Sequence, residues 1–125
     1  MKKVLLVLVA ILASVSFFTS CSDNDEINEE NICGKWNVTQ INANGSWSNV
    51  GYGVMYAKFN SDNTYESKDH SYHFSGTWKL EGEVVKCNVG GTYVTYTILD
   101  FSSESGTFEV KEPGYYAYNI KATKE

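Results

Sequence analysis

Apolar and polar residues alternate with a period of two through most of the chain after residue 32, and Gly and Asn interrupt the alternation at short intervals. The clearest case is the segment 72–80. One of its faces carries Tyr, Phe, Gly, Trp and Leu at every second position, while the other carries His, Ser, Thr and Lys. Because successive side chains of a strand point to opposite faces, this pattern predicts a β-strand with one face in a core.

The same test predicts eight strands joined by short turns. Their predicted inward residues are, in order, Trp36 and Val38; Met55, Ala57 and Phe59; Tyr65; Tyr72, Phe74, Gly76, Trp78 and Leu80; Val85, Cys87 and Val89; Val94, Tyr96 and Ile98; Phe108 and Val110; Tyr116, Tyr118 and Ile120. Pairs such as Gly90-Gly91 and Pro113-Gly114 are typical of tight turns. The longest connection, residues 42–53, contains Trp47 and Tyr52 outside any predicted strand.

Strands joined by short turns favour an antiparallel meander. Eight such strands can close on themselves, which removes the exposed edges that invite aggregation. We therefore predict an all-β fold over residues 32–125, an eight-stranded antiparallel up-and-down barrel. An open β-sandwich is the alternative, since periodicity assigns the faces of strands but does not say whether the first strand pairs with the last.

The first twenty residues have the pattern of a secretory signal. Lys2 and Lys3 precede an uncharged, mostly apolar run of fifteen residues, which is shorter than the roughly 20 that a membrane span needs. Small residues before Cys21 and acidic residues after it resemble the lipobox of bacterial lipoproteins, although Phe18 stands where Leu is usual. The resemblance implies a lipoprotein signal peptide over residues 1–20 and an acyl (palmitate-type) anchor on Cys21.

This resemblance also sets the expected location. Residues 21–31 would be the lipidated cysteine and an acidic tether, and the anchor would hold the protein to the outer membrane of the cell envelope, on its periplasmic or its exterior face. The net charge of the whole chain is −5, and five of its 15 acidic residues lie in 22–31. An acidic surface without clustered basic residues argues against nucleic acid as a partner.

Two further cysteines, Cys33 and Cys87, lie in the predicted domain. An oxidising envelope would allow a disulfide between them. However, Cys33 has the opposite parity to inward Trp36, while Cys87 is predicted to point inward. A disulfide needs Cα atoms within about 7 Å, so buried free thiols are the alternative.

Three short motifs add a resemblance that covers residues 32–125. Gly34-Lys35-Trp36 matches the Gly-x-Trp of lipocalins, and the segments 59–65 and 75–78 are similar to the second and fourth strands of small lipocalin-like lipoproteins from Gram-negative bacteria. The chain has no arginine, and the nearest basic residue to the usual last-strand arginine is Lys121. The resemblance implies a small apolar or amphipathic ligand inside the barrel.

The inward positions and the long connection supply the candidate ligand contacts. They are Trp47 and Tyr52 on a lid over the barrel mouth, and Tyr65, Tyr96, Tyr116 and Tyr118 inside it. The many large aromatic residues could instead fill the barrel. The function would then be that of a protein-interaction or inhibitor module, with contacts around Trp47 and Tyr115. Cavity volume separates the two hypotheses.

Catalysis is not expected. Asp69, His70 and His73 form the one cluster that hints at a metal, but residues 70 and 73 have opposite parity in a regular strand. No nucleophile elbow, phosphate-binding glycine loop or ordered Ser/His/Asp set is present in the sequence. We therefore expect a binding protein without a metal or a cofactor.

Overall fold

A computed structural model describes residues 26–125, and these residues are almost entirely β. A short helix is followed by nine strands: α1 Glu29–Ile32, β1 Gly34–Asn42, β2 Trp47–Asn49, β3 Met55–Phe59, β4 Thr64–Asp69, β5 Tyr72–Glu81, β6 Val84–Val89, β7 Thr92–Phe101, β8 Ser105–Lys111 and β9 Tyr118–Lys124. Within this part of the chain no helix has the length and apolarity to cross a membrane. The predicted signal peptide and Cys21 lie outside the described residues.

Eight of the strands form a closed barrel. Strand β1 and strands β3 to β9 each pair antiparallel with their neighbours, and β9 returns to pair with β1. In this closing pair Ile120 lies opposite Ile41 and Lys124 lies opposite Trp36. The predicted barrel is therefore confirmed, and the first strand does pair with the last, which an open sandwich would not allow.

Strand β2 is an addition that the sequence pattern did not predict. It pairs with the end of β1, with Trp47 opposite Asn42 and Asn49 opposite Gln40. Strand β3 pairs only with residues 34–37 of β1, so the rest of that edge is open to β2. The prediction that Trp47 lies outside any strand was wrong, because three residues are too few to show a period of two.

Large aromatic residues fill the half of the barrel nearest to α1. The Phe59 ring lies 5.5 Å from that of Trp78, and the Trp36 ring lies 5.5 Å from that of Phe108. Each indole also has a hydrogen-bond acceptor, because Trp36 Nε1 donates to the carbonyl of Ile32 and Trp78 Nε1 to that of Asn60. These rings are buried without leaving a polar atom unsatisfied, as a stable core requires.

Helix α1 covers this end of the barrel. Asn28 caps the helix by accepting a hydrogen bond from Asn31 N at 2.8 Å. Ile32 is buried, and Ile27 packs against the core. The stretch 21–31 was predicted to be tether, yet residues from Ile27 onward belong to the folded domain. Ile27 explains the difference, since it supplies apolar surface inside an otherwise acidic run.

The structure corrects three predicted inward positions near the other end. Tyr116 lies in the connection between β8 and β9 and is 96% exposed, because β9 begins only at Tyr118. Tyr72 and Phe74 are on β5 but remain 69% and 46% exposed. In both places the alternation continues in the sequence beyond the point where the barrel wall can bury the side chain.

Gly76 marks the point where β5 separates from β6. Pairing between these strands ends at Thr77 and Asn88, so the first half of β5 pairs only with β4. A Cβ atom on Gly76 would lie 1.9 Å from the backbone oxygen of Asn88. A glycine is needed here because the two backbones approach too closely for any side chain.

We expect Gly76→Ala to destabilise the domain by about 1–3 kcal/mol, because the new methyl group meets backbone that cannot rotate away. Gly51→Ala is the matched control, since a Cβ there meets only Val54 Cγ2 at 3.5 Å. Denaturant unfolding followed by circular dichroism measures both variants. Equal midpoints for the two variants would show that the approach at Gly76 imposes no constraint.

Candidate functional site

A cavity of about 980 Å³ opens at the end of the barrel opposite α1. All eight barrel strands contribute to its wall, together with the connection between β8 and β9. Its lining residues are mainly aliphatic and aromatic, among them Val38, Ile41, Val94, Val110, Tyr118 and Ile120. This volume is at the upper end of the range of roughly 300–1,000 Å³ that is usual for small-molecule sites.

The two halves of the barrel differ in how side chains fill them. The half near α1 retains a void of only about 10 Å³ around Trp36, Phe59 and Phe108. In the open half several inward positions carry small side chains, for example Ser67 and Val94. The packed core and the ligand-sized cavity, which the sequence presented as alternatives, therefore occur together in one barrel.

Tyr65 and Tyr96 form the floor of the cavity. Their hydroxyl oxygens lie 2.5 Å apart, and both side chains are buried. Burial raises the pKa of both tyrosines above the ordinary value of 10, because the phenolate would lose its hydration. The floor is thus an uncharged hydrogen-bonded pair that could still orient a polar group on a ligand.

Tyr118 and two carboxylates lie nearer the mouth. The Tyr118 hydroxyl donates to Glu112 Oε2 at 3.3 Å. Burial raises the pKa of Tyr118, and the negative charges of Glu112 and Asp69 raise it further. Glu112 thus contacts this hydroxyl directly, and Asp69 lines the same cavity, so two carboxylates lie toward the mouth.

Two basic side chains also line the cavity, and each has a partner. Lys68 Nζ donates to the carbonyl of Gly53 at 2.9 Å. His70 occupies the tight turn after β4 with φ of 58°, and its Nδ1 lies 2.6 Å from Asp69 Oδ1. Among residues 26–125, no three His, Cys, Asp or Glu side chains are grouped so that they could hold a metal ion.

The rim of the cavity is aromatic. Tyr72, Phe74, Tyr115 and Tyr116 all line it, and each is exposed to solvent. Tyr72 and Phe74 come from the part of β5 that has no partner in β6, and the other two come from the connection after β8. Exposed apolar surface concentrated at a mouth is typical of an interaction or ligand site.

The structure brings four of the six predicted ligand residues to the cavity: Tyr65, Tyr96, Tyr116 and Tyr118. Trp47 and Tyr52 do not line it. Trp47 lies on the outer face, where Lys121 Nζ is 4.6 Å from its ring centroid. Tyr52 donates to Glu125 Oε2 at 2.6 Å, and the same oxygen accepts from Asn37 Nδ2. The long connection does not cover the mouth in this structure.

The charged cavity residues Asp69 and Glu112 were not predicted as ligand contacts. Asp69 was considered only for a metal, and Glu112 was assigned to a turn. Parity contained a signal for both residues: Asp69 follows Tyr65 and Ser67 on the inward face of β4, and Glu112 has the parity of inward Phe108 and Val110. Glu112 lies beyond the end of β8, and the folded connection places it at the mouth.

Cys33 and Cys87 are free thiols, which is the alternative to the disulfide that the sequence left open. Cys87 is fully buried on β6, and Cys33 is partly buried where α1 ends. Burial raises the pKa of both thiols, because the thiolate is poorly solvated at either place. Neither cysteine lines the cavity.

The fold and the cavity define a small closed antiparallel barrel with one plugged end and one open end, an architecture compatible with binding a small molecule. Comparisons with protein-family models, with curated proteins and with solved structures found no match for the chain.

We expect Tyr65, Tyr96 and Tyr118 to ionise only when the barrel unfolds. Their raised pKa values favour the protonated folded form, so their contribution to stability is complete below the ordinary pKa of 10 and is lost as pH rises above it. Phenolate absorbance, recorded with circular dichroism during an alkaline titration, measures this.

The nine tyrosines of the chain should therefore ionise in at least two groups, and the later group should coincide with loss of β-structure. In the Tyr118→Phe variant, one tyrosine fewer should ionise in the later group. Ionisation of all tyrosines in one early step, with the β-structure intact, would contradict the burial of these hydroxyls.

Proposed function

We propose that this protein is a lipid-anchored binding protein of the bacterial envelope that holds a small apolar or amphipathic molecule in the open half of its barrel. The observation that carries the proposal is the cavity of about 980 Å³, with its mainly apolar wall and a small number of polar groups. A site of this kind binds by burying apolar surface and uses its few polar groups for orientation. No enzymatic role is part of the proposal.

The entry point of the chain supports the anchored arrangement. Ile27 and α1 lie at the plugged end, whereas the cavity opens at the opposite end. Cys21 precedes Glu26 by five residues, which can span at most about 17 Å when extended. An acyl anchor on Cys21 would hold the plugged end toward the membrane and leave the mouth accessible.

A protein-interaction role is the second candidate, and the exposed rim of Tyr72, Phe74, Tyr115 and Tyr116 favours it. In the sequence-based form of this hypothesis the barrel was filled and Trp47 contributed to the contact. The open half of the barrel and the position of Trp47 on the outer face both weaken that form. Small-molecule binding therefore remains the first candidate.

Filling the cavity should abolish binding. Val94 lines the open half, so Val94→Trp places an indole in the space that we assign to the ligand, while Thr95→Trp adds the same group on the other face of β7. The probe is N-phenyl-1-naphthylamine, an uncharged dye that fluoresces in apolar sites. It is titrated into the full chain in lipid nanodiscs, and the signal of empty nanodiscs is subtracted.

Wild type and Thr95→Trp should give a saturable rise in fluorescence, and Val94→Trp should reduce the affinity by at least about tenfold, equivalent to about 1.4 kcal/mol. Circular dichroism confirms that both variants are folded. Binding that is equal in the two Trp variants would place the dye outside the barrel and remove the support for this function.

The anchor is tested separately by Cys21→Ser. Stable membrane attachment by acylation depends on buried CH₂ groups, each of which contributes about 0.8 kcal/mol, and the acidic residues after Cys21 cannot add attraction to anionic lipids. The variant should appear as an uncleaved precursor or as released protein in cell fractionation, and it should lose the mass of the acyl chains. Unchanged processing, mass and membrane attachment would exclude Cys21 as the anchor.

A further inference from the structure

The charged groups of the cavity are concentrated at its mouth. Asp69 is the last residue of β4, and Glu112 follows the end of β8, so both lie at the level of the rim. Deeper in the cavity the wall is formed by aliphatic residues and by the hydroxyl pair of Tyr65 and Tyr96. A ligand that matches this arrangement has a polar end at the mouth and an apolar end inside.

The sign of the charge at the mouth is negative. Glu112 accepts a hydrogen bond from the Tyr118 hydroxyl at 3.3 Å, and Asp69 lines the same cavity, so two carboxylates lie at this end of the wall. The one lysine that lines the cavity already donates to the carbonyl of Gly53. The His70 ring is hydrogen-bonded to Asp69. The mouth thus offers anionic acceptors, and its lysine is engaged in a backbone contact.

The aromatic rim suits the same kind of group. Tyr72, Phe74, Tyr115 and Tyr116 present exposed rings around the mouth, and Tyr118 lies beside the carboxylates. The negative face of an aromatic ring attracts organic cations, most strongly when the cation is partly desolvated. The carboxylates and the aromatic rings therefore both favour a positively charged group on the ligand at this end of the barrel.

We propose that the cavity selects a cationic amphiphile, with an amine or quaternary ammonium head between Asp69, Glu112 and the aromatic rim. The apolar tail extends into the open half of the barrel, toward Val38, Val94 and Val110. This inference depends on the proposed binding function and adds the charge of the ligand to it.

The test compares three probes with the same octyl tail: octyltrimethylammonium, octyl glucoside and octyl sulfate. Each is titrated by calorimetry, below its micelle concentration, into the full chain in lipid nanodiscs, and protein-free nanodiscs are the blank. Octyltrimethylammonium should bind at least about tenfold more tightly than octyl sulfate. Octyl glucoside should have an intermediate affinity, since it has the tail without a charge.

The variant Asp69→Asn/Glu112→Gln removes both charges and keeps the side-chain shapes. It should lower the affinity for octyltrimethylammonium by at least about tenfold and change the affinity for octyl glucoside by no more than about twofold. The matched control is Glu83→Gln/Glu109→Gln, which removes the same charge at exposed positions outside the cavity and should leave all three affinities unchanged. The single variant Glu112→Gln, with a smaller effect, provides a second measurement if the double variant does not fold.

The outcomes separate the two proposals. Equal or tighter binding of octyl sulfate, or a loss of cation binding that is the same in the control variant, would overturn the charge selectivity while leaving a binding cavity. Failure of all three octyl probes and of the uncharged dye to bind would overturn the binding function and this inference together.

Discussion

The antiparallel pairing of β9 with β1 is the contact on which the rest of the structure depends. It joins residues far apart in the sequence, such as Lys124 and Trp36, and it turns a row of strands into a closed wall. Closure satisfies the backbone groups of the first and last strands and leaves no long free edge. It also creates an interior, since without it the inward faces of the eight strands would not surround a common space. Non-local pairings of this kind carry a loop-closure entropy cost, and the packed core must compensate for that cost.

The distribution of side-chain volume then determines what the interior can do. Near α1, the rings of Trp36, Phe59, Trp78 and Phe108 fill the space, and the helix covers the end with Ile32. Toward the mouth several inward residues are small, among them Ser67 and Val94, and β5 diverges from β6 at Gly76. The packed half can therefore stabilise the barrel while the open half remains available for binding. A small domain needs this division, because a core of its size has little stability to spare for a cavity.

The charged residues and the start of the domain lie at opposite ends of the barrel. The carboxylates of Asp69 and Glu112 lie at the mouth, and the aromatic rim surrounds them, while the chain enters at the plugged end. If Cys21 carries the anchor, the end that is suited to a ligand faces away from the membrane. The two halves of the barrel would then have separate roles, one in attachment and stability and the other in recognition.

The sequence by itself determined the eight barrel strands and most of their inward faces. Alternation with a period of two identified all eight barrel strands, and it assigned inward positions such as Trp36, Tyr65, Trp78 and Tyr96 that are indeed buried. This information is local, since the face of a strand residue depends on its own parity. The same parity allowed the four cavity tyrosines to be predicted, because they lie on or next to strands with clear alternation.

Only the tertiary structure decided the closure of the barrel, the position of the long connection and the size of the cavity. Strand β2 exists because β3 leaves part of the β1 edge unpaired, which no pattern in residues 47–49 reveals. Trp47 consequently lies beneath Lys121 on the outer face and not over the mouth. The size of the cavity depends on the combined volume of side chains from eight strands. Glu112 lines the cavity because the connection after β8 places it there. These properties arise from contacts between residues distant in sequence, and period-two alternation carries no information about such contacts.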